Sequence, residues 1–98
     1  MVLEIADLSI LPGKNAEFEV AIEAGVKEVI SKAKGFIGFK VQKGIENPNR
    51  YLLMIEWETL ENHMVDFRES PEFAQWRSYV GPYFEKPPAM EHFELLIS

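Results

Sequence analysis

The run Tyr51-Leu52-Leu53-Met54-Ile55-Glu56-Trp57 decides the fold. Its β-branched and aromatic residues read as a strand. A strand with one wet face alternates apolar and polar residues, and this one does not. Tyr51, Leu53, Ile55 and Trp57 share one phase, and Leu52 and Met54 make the other phase apolar too. Both faces of the sheet to which it belongs therefore need cover.

Working outward, Asn47-Pro48-Asn49 is a turn, because proline presets φ and asparagine tolerates unusual backbone angles. Residues 36–46 before it form a second strand, with Ile37, Phe39 and Val41 on one side and Phe36 on the other. The short connection makes a hairpin. Residues 2–11 form the opening strand, ended by the breaker pair Pro12-Gly13. It carries Leu3, Ile5 and Leu11 in one phase and Val2, Ala6, Leu8 and Ile10 in the other.

Between these strands, residues 14–34 show helical spacing. Phe18, Ala21, Ile22, Gly25 and Val29 form a stripe widened by Val26 and Ile30, with Glu17, Glu19, Glu23, Lys27 and Glu28 opposite. Asn15 is the expected N-cap, and Gly35 the residue that stops the helix. Gly25 costs about 1 kcal/mol inside a helix. Its expected reason is close helix–sheet packing, with room for a ligand as the alternative.

Beyond Trp57, residues 59–68 read as a second helix, capped by Thr59, with Asn62 as its third residue and Leu60, His63, Met64 and Phe67 facing inward. Ser70-Pro71-Glu72 starts another, since serine caps, proline suits the first position and glutamate favours the first turn. Its apolar face is Phe73, Trp76 and Val80, and Gly81-Pro82 ends it. After Pro87-Pro88, residues 89–97 form the last strand.

The order β-α-β-β-α-(α)-β over residues 1–98 predicts one α+β domain of the ferredoxin-like, split-βαβ type. Its four-stranded antiparallel sheet has helices on one face only. The other face would expose an apolar patch larger than monomers tolerate. A second copy packed sheet to sheet is the simplest cover, giving a homodimer shaped as a dimeric α+β barrel. The alternative is a monomer with a bare apolar face.

Composition narrows the function classes. The net charge is −6, with scattered Lys and Arg, which argues against nucleic acid and anionic membranes as partners. Absence of cysteine excludes disulfides, cysteine-bound metal and thiol catalysis. Two early acids and short apolar runs give no signal peptide or membrane span, so a cytoplasmic location is expected.

Glu56-Trp57-Glu58-Thr59-Leu60-Glu61-Asn62-His63, Phe67-Arg68-Glu69-Ser70-Pro71-Glu72-Phe73, Trp76-Arg77, Gly81-Pro82-Tyr83-Phe84, Pro87-Pro88 and Glu91-His92-Phe93-Glu94 occur in that order. Together with the opening strand and Pro12-Gly13-Lys14, this pattern resembles the antibiotic biosynthesis monooxygenase family along the whole chain. The resemblance implies a dimeric α+β barrel with a pocket between helices and sheet. It implies oxygenation of aromatic polyketides or quinols without a cofactor, or haem degradation, although many members have no established activity. A non-catalytic protein of the same fold that binds a small aromatic molecule is the alternative function.

An oxygenase of that kind needs a base, an apolar pocket and a group that stabilises an anion. His63 is a candidate base on the inward stripe, at the place of a histidine that recurs in the family's helix; its plain alternative is a satisfied buried histidine. Asp7 interrupts the apolar phase Leu3, Ile5, Asp7, Ser9, Leu11 and is a second candidate, unless it lies at an edge and reaches solvent. His92 is expected at a strand edge or an interface. Trp57, Phe67, Phe73, Trp76, Tyr79 and Tyr83 are candidate walls for an aromatic ligand, or simply core. Arg77 is a candidate anion stabiliser, with surface pairing to Glu72 the safer reading. The haem-degrading subgroup's Asn, Trp and His fall on Asp7, Phe67 and Arg77, or Trp76, so nothing matches. Two histidines without a recognised spacing argue against a metal site.

Overall fold

Residues 1–98 are described by a computed structural model. Strands β1 (Val2–Ser9), β2 (Phe36–Lys43), β3 (Arg50–Trp57) and β4 (Ala89–Glu94) form one antiparallel sheet in the order β2-β3-β1-β4. Helix α1 (Asn15–Glu28) and helix α2 (Pro71–Val80) pack on one face, as the element order predicts.

The core lies between these layers. Ala6 and Leu8 of β1, Ile10 just beyond it, and Tyr51, Leu53, Ile55 and Trp57 of β3 meet Phe18, Ile22 and Val26 of α1, with Phe67, Trp76 and Val80 completing it. Strict alternation along β1 and β3 sends these residues to the helix side. The opposite phases, Leu3 and Ile5 with Leu52 and Met54, stay half-buried on the open face.

Several local expectations are corrected. A bulge between Phe36 and Gly38 inserts Ile37 into β2 and flips the phase, as one extra residue must. Phe36, Phe39 and Val41 therefore share the core side, and Ile37 is exposed. Helix α1 ends at Glu28, and a 3₁₀ turn (Ile30–Lys32) follows, so Gly35 does not cap it. Gly35 instead takes φ +84°, and a Cβ there would lie 2.1 Å from Asn62 Oδ1. The Asn15 side chain reaches Pro48 O and Tyr51 Oη rather than capping the helix. Gly25 is indeed a close-packing site, but between helices, because a Cβ would meet the Trp76 ring at 2.9 Å.

The largest departure is the segment after β3. Thr59 Oγ1 accepts from Asn62 N–H at 3.1 Å, and Asn62 Oδ1 accepts from Thr59 N–H at 3.1 Å, a reciprocal capping box. The turn it starts becomes a π-helix over Asn62–Phe67, with Arg68 N–H reaching back five residues to His63 O at 3.0 Å. The wider turn buries Asn62, His63 and Phe67 and leaves Leu60 and Met64 exposed. The last strand also stops short. Glu94 pairs with Val2, where β1 begins, so Leu95, Leu96 and Ile97 have no strand beside them and lie exposed.

Candidate active site

Glu4 lies in the helix-facing phase of β1, paired across the sheet with His92 of β4. It is 4% exposed. Trp57, on the other side of β1, donates its indole N–H to Glu4 Oε1 at 3.0 Å. The π-helix brings His63 down onto this pair, with Nε2 3.3 Å from the same Glu4 oxygen. Nδ1 of His63 is 2.7 Å from Nε2 of His92. One buried chain thus runs Trp57–Glu4–His63–His92. The His63 ring also stacks on Trp57, with centroids 5.1 Å apart and planes 15° apart.

The electrostatics follow from burial. Desolvation disfavours charge on both central groups. It pushes the Glu4 carboxyl up to about 7, against the downward pull of the Trp57 hydrogen bond and the Arg68 charge. It pushes His63 down to about 4, helped by the charges of His92 and Arg68. His92 is lowered as well, by burial and then by Arg68. At neutral pH the 3.3 Å contact therefore joins a neutral imidazole to a carboxyl poised between its two forms. It is a proton-sharing contact rather than an ion pair.

Glu4 and His63 line a cavity of about 110 Å³ between sheet and helices. Its walls include Trp57, Phe67, Phe73 and Trp76. Arg68 and Arg77 also line it, both exposed. The Arg68 guanidinium lies 5.2 Å from the Phe73 ring centre, and that of Arg77 lies 5.9 Å from both the Phe73 and the Phe84 ring centres. Neither guanidinium has a carboxylate partner. The arrangement offers a proton acceptor in a buried floor, flat aromatic walls, and two cations for an anion.

Most of the expected site residues converge here: His63, Trp57, Phe67, Phe73, Trp76 and Arg77. Arg77 sits between aromatic rings and not on Glu72. Two expectations are corrected. Asp7 points to the open face of the sheet, where Arg50 grips it through three contacts of 2.7 to 3.2 Å. Those hydrogen bonds hold its carboxyl below the usual range, the opposite of what a base at the cavity floor requires. Tyr83 stands outside the cavity, 6.4 Å from the Phe18 ring centre. His92 lies on the edge strand β4, as expected, and is half-buried against His63.

Glu4 and Arg68 escaped the sequence reading. The signal for Glu4 was present: it interrupts the phase Val2, Ala6, Leu8, Ile10 as Asp7 interrupts its own. Arg68 follows from the π-helix, which no residue spacing announced.

Comparison with known proteins agrees with this architecture. Residues 1–79 match the family described as antibiotic biosynthesis monooxygenase. An uncharacterised Bacillus subtilis protein, YczJ, is 39% identical over 94 residues, covering 96% of this chain and 98% of its own length. The crystal structure of a candidate antibiotic biosynthesis monooxygenase from Bordetella bronchiseptica superposes with a TM-score of 0.92 at 38% identity, over 98% of this chain and 97% of that one. SnoaB, a cofactor-independent oxygenase from Streptomyces nogalater, has a TM-score of 0.83 at 14% identity, over 99% of this chain and 94% of its own; that likeness concerns the fold alone.

Proposed function

This chain belongs to the antibiotic biosynthesis monooxygenase family, and on that premise we propose that it oxygenates a small phenol or hydroquinone, with the substrate itself as the electron source. The observation that carries the reading is the Glu4–His63 pair, 3.3 Å apart on the floor of an aromatic-walled cavity. Glu4 accepts the phenolic proton, because its raised pKa makes it a competent base near neutral pH. Arg68 and Arg77 stabilise the resulting anion from the mouth. The electron-rich anion reduces O₂, a C–O bond forms, and the ring carbon carries a peroxide anion. Breaking its O–O bond, with the ring hydrogen and one proton leaving as water, puts one oxygen atom on the ring as a quinone carbonyl. One O₂ is consumed per quinone, and the hydroxyl proton taken at the start is returned in the water.

Cavity size limits the substrate. About 110 Å³ is less than the roughly 150 Å³ that houses a benzene ring. A single ring enters with its hydroxyl leading and its far side at the arginine-lined mouth. Fused polyketides require movement of Phe73 or Phe84. Oxygen uptake with a panel of hydroquinones and anthrones, in chelated and flavin-free buffer, tests the reading. Uptake on small hydroquinones that disappears in His63→Ala supports it. Tight binding without turnover favours the non-catalytic alternative.

The open sheet face supports a homodimer. Met1, Leu3, Met54, Phe93 and the exposed Leu95–Leu96–Ile97 run line one broad apolar hollow there. A second sheet laid on this face would bury it and give the unpaired C-terminal residues a neighbour. Sedimentation at micromolar concentration should find about twice the 11.3 kDa chain mass. A stable single subunit would remove this part of the proposal.

A further inference from the structure

The proposed chemistry leaves one group of the cluster unused. His92 does not line the cavity and makes no side-chain hydrogen bond to Glu4, its partner across the sheet, yet it makes the shortest polar contact in the buried chain, 2.7 Å to His63. Glu4 has only two polar side-chain neighbours. One is the Trp57 indole, which donates and cannot accept a proton. The other is His63 Nε2. His63 is 3% exposed, and its remaining nitrogen faces His92 alone. His92, by contrast, is only half-buried. With substrate filling the cavity that Glu4 lines, a proton that arrives on Glu4 has one side-chain path outward.

We infer that Glu4, His63 and His92 form a proton relay, in which His92 stores the substrate's proton during the oxygen step and returns it afterwards. The inference rests on the oxygenase reading for the origin of the proton, but not for the relay itself. In the outward stroke the Glu4 O–H passes its proton to His63 Nε2, while His63 Nδ1–H passes its own to His92 Nε2. His63 gives as it receives, so it never carries two protons. That matters because a fully buried imidazolium beside Arg68 is disfavoured by desolvation and by like charge; the same causes lower His92, but it is only half-buried and bears the charge at smaller cost. Moving the proton two hydrogen bonds away leaves the phenolate bare, and a bare anion reduces O₂ more readily than one hydrogen-bonded to a neutral acid. When the O–O bond breaks, the same path run backward supplies the proton for water, and both imidazoles regain their starting tautomers. The charged side chain that acts on both imidazoles is Arg68, which follows the π-helix.

His92 acts through His63, so its test needs readouts that a structural role would leave unmoved. In His92→Ala, kcat for a hydroquinone should fall at least tenfold with KM within twofold, and added imidazole should restore it in a dose-dependent way. His92→Gln keeps a hydrogen bond but cannot pass a proton, so it should be equally slow and should not respond to imidazole. Normal kcat in both variants, while His63→Ala is inactive, would overturn the relay and leave the oxygenase reading intact. If no phenol or quinol is turned over by the wild type, ¹⁵N resonances of the two imidazoles still decide. Linked sites shift together at one midpoint, and Glu4→Gln removes that shared step from both rings. Two independent midpoints, indifferent to Glu4→Gln, would overturn the relay without any reference to activity.

Discussion

The indole of Trp57 does two things to Glu4 and His63 at once: it donates its N–H to the carboxylate at 3.0 Å and lies flat against the imidazole at 5.1 Å. The residue is fully buried, so it also keeps water from that side of both groups. Its position at the end of β3, opposite Val2 and beside Phe36, fixes it by sheet register rather than by loop geometry.

Trp57→Phe keeps the stacked ring and removes the donor. Leaving a buried carboxyl short of a hydrogen bond costs about 1–3 kcal/mol. The lost hydrogen bond also releases the one group that most pulls the Glu4 pKa down, so the pKa should rise further. Urea unfolding and a ¹³C titration of the Glu4 carboxyl check the two effects. An unchanged Glu4 midpoint would break the assigned link.

The Glu4–His63 pair predicts a pH profile in which two slopes cancel. Glu4 titrates at about 7 when folded and 4.5 when unfolded, so the folded state binds the extra proton between those values. By itself this makes stability fall as pH rises through that window. His63 titrates at about 4 when folded and 6.5 when unfolded, so there the unfolded state binds the extra proton. By itself this makes stability rise with pH. In their overlap, pH 4.5 to 6.5, the pair holds one proton in either state, on Glu4 when folded and on histidine when unfolded. Its contribution in the wild type should be nearly flat there. Glu4→Gln should expose the rising slope and His63→Gln the falling one, measured as unfolding free energy against pH. Slopes of the same sign in both variants would refute the assignment.

Gly25→Ala tests the helix–helix contact that supports the cavity wall. Alanine is the better helix former by about 1 kcal/mol. Its methyl group would meet two Trp76 ring carbons at 2.9 Å and Tyr79 Cβ at 3.2 Å. A rigid ring cannot bend away, and overpacking costs about 1–3 kcal/mol. The variant should be less stable, by about 1 kcal/mol net, and the loss should vanish in the background Trp76→Leu. A stabilised Gly25→Ala protein would show that the helices separate easily.

Asp7→Asn is the control for the choice of base. Its partner Arg50 is exposed, and such pairs contribute about 0–1 kcal/mol. Oxygen uptake per folded protein should stay within twofold, whereas Glu4→Gln should lose most of it. Loss in Asp7→Asn with retention in Glu4→Gln would reverse the assignment.

The layers of this protein were legible in its sequence because they depend on periodicity. β3 carries apolar residues in both phases, and the breakers Pro12-Gly13, Asn47-Pro48-Asn49 and Gly81-Pro82 fall where elements end. His63 was legible as an inward residue because it lies four residues before Phe67 on the expected stripe, and both stay buried in the π-turn. What stayed hidden were one-residue irregularities. The bulge at Ile37 exchanges the faces of Ile37 and Phe36, and the π-helix swaps Leu60 and Met64 for Asn62. Neither leaves a compositional mark. The partnership of Glu4, His63 and His92 depends on cross-strand register and on that same widened turn, which act over 59 and 29 residues of sequence.

The π-helix has a genetic consequence. Such a turn is an ordinary helix carrying one surplus residue. An in-frame loss of a single codon between 64 and 66 would let regular backbone bonding run through, and the chain would still fold. Arg68 N–H would keep its bond to His63 O, now closing an ordinary turn, so the residues beyond it would hold their places. The change would fall on the turn itself, which would lose the width that buries Asn62, His63 and Phe67, so a lineage under pressure only to fold could discard the chemistry in one step.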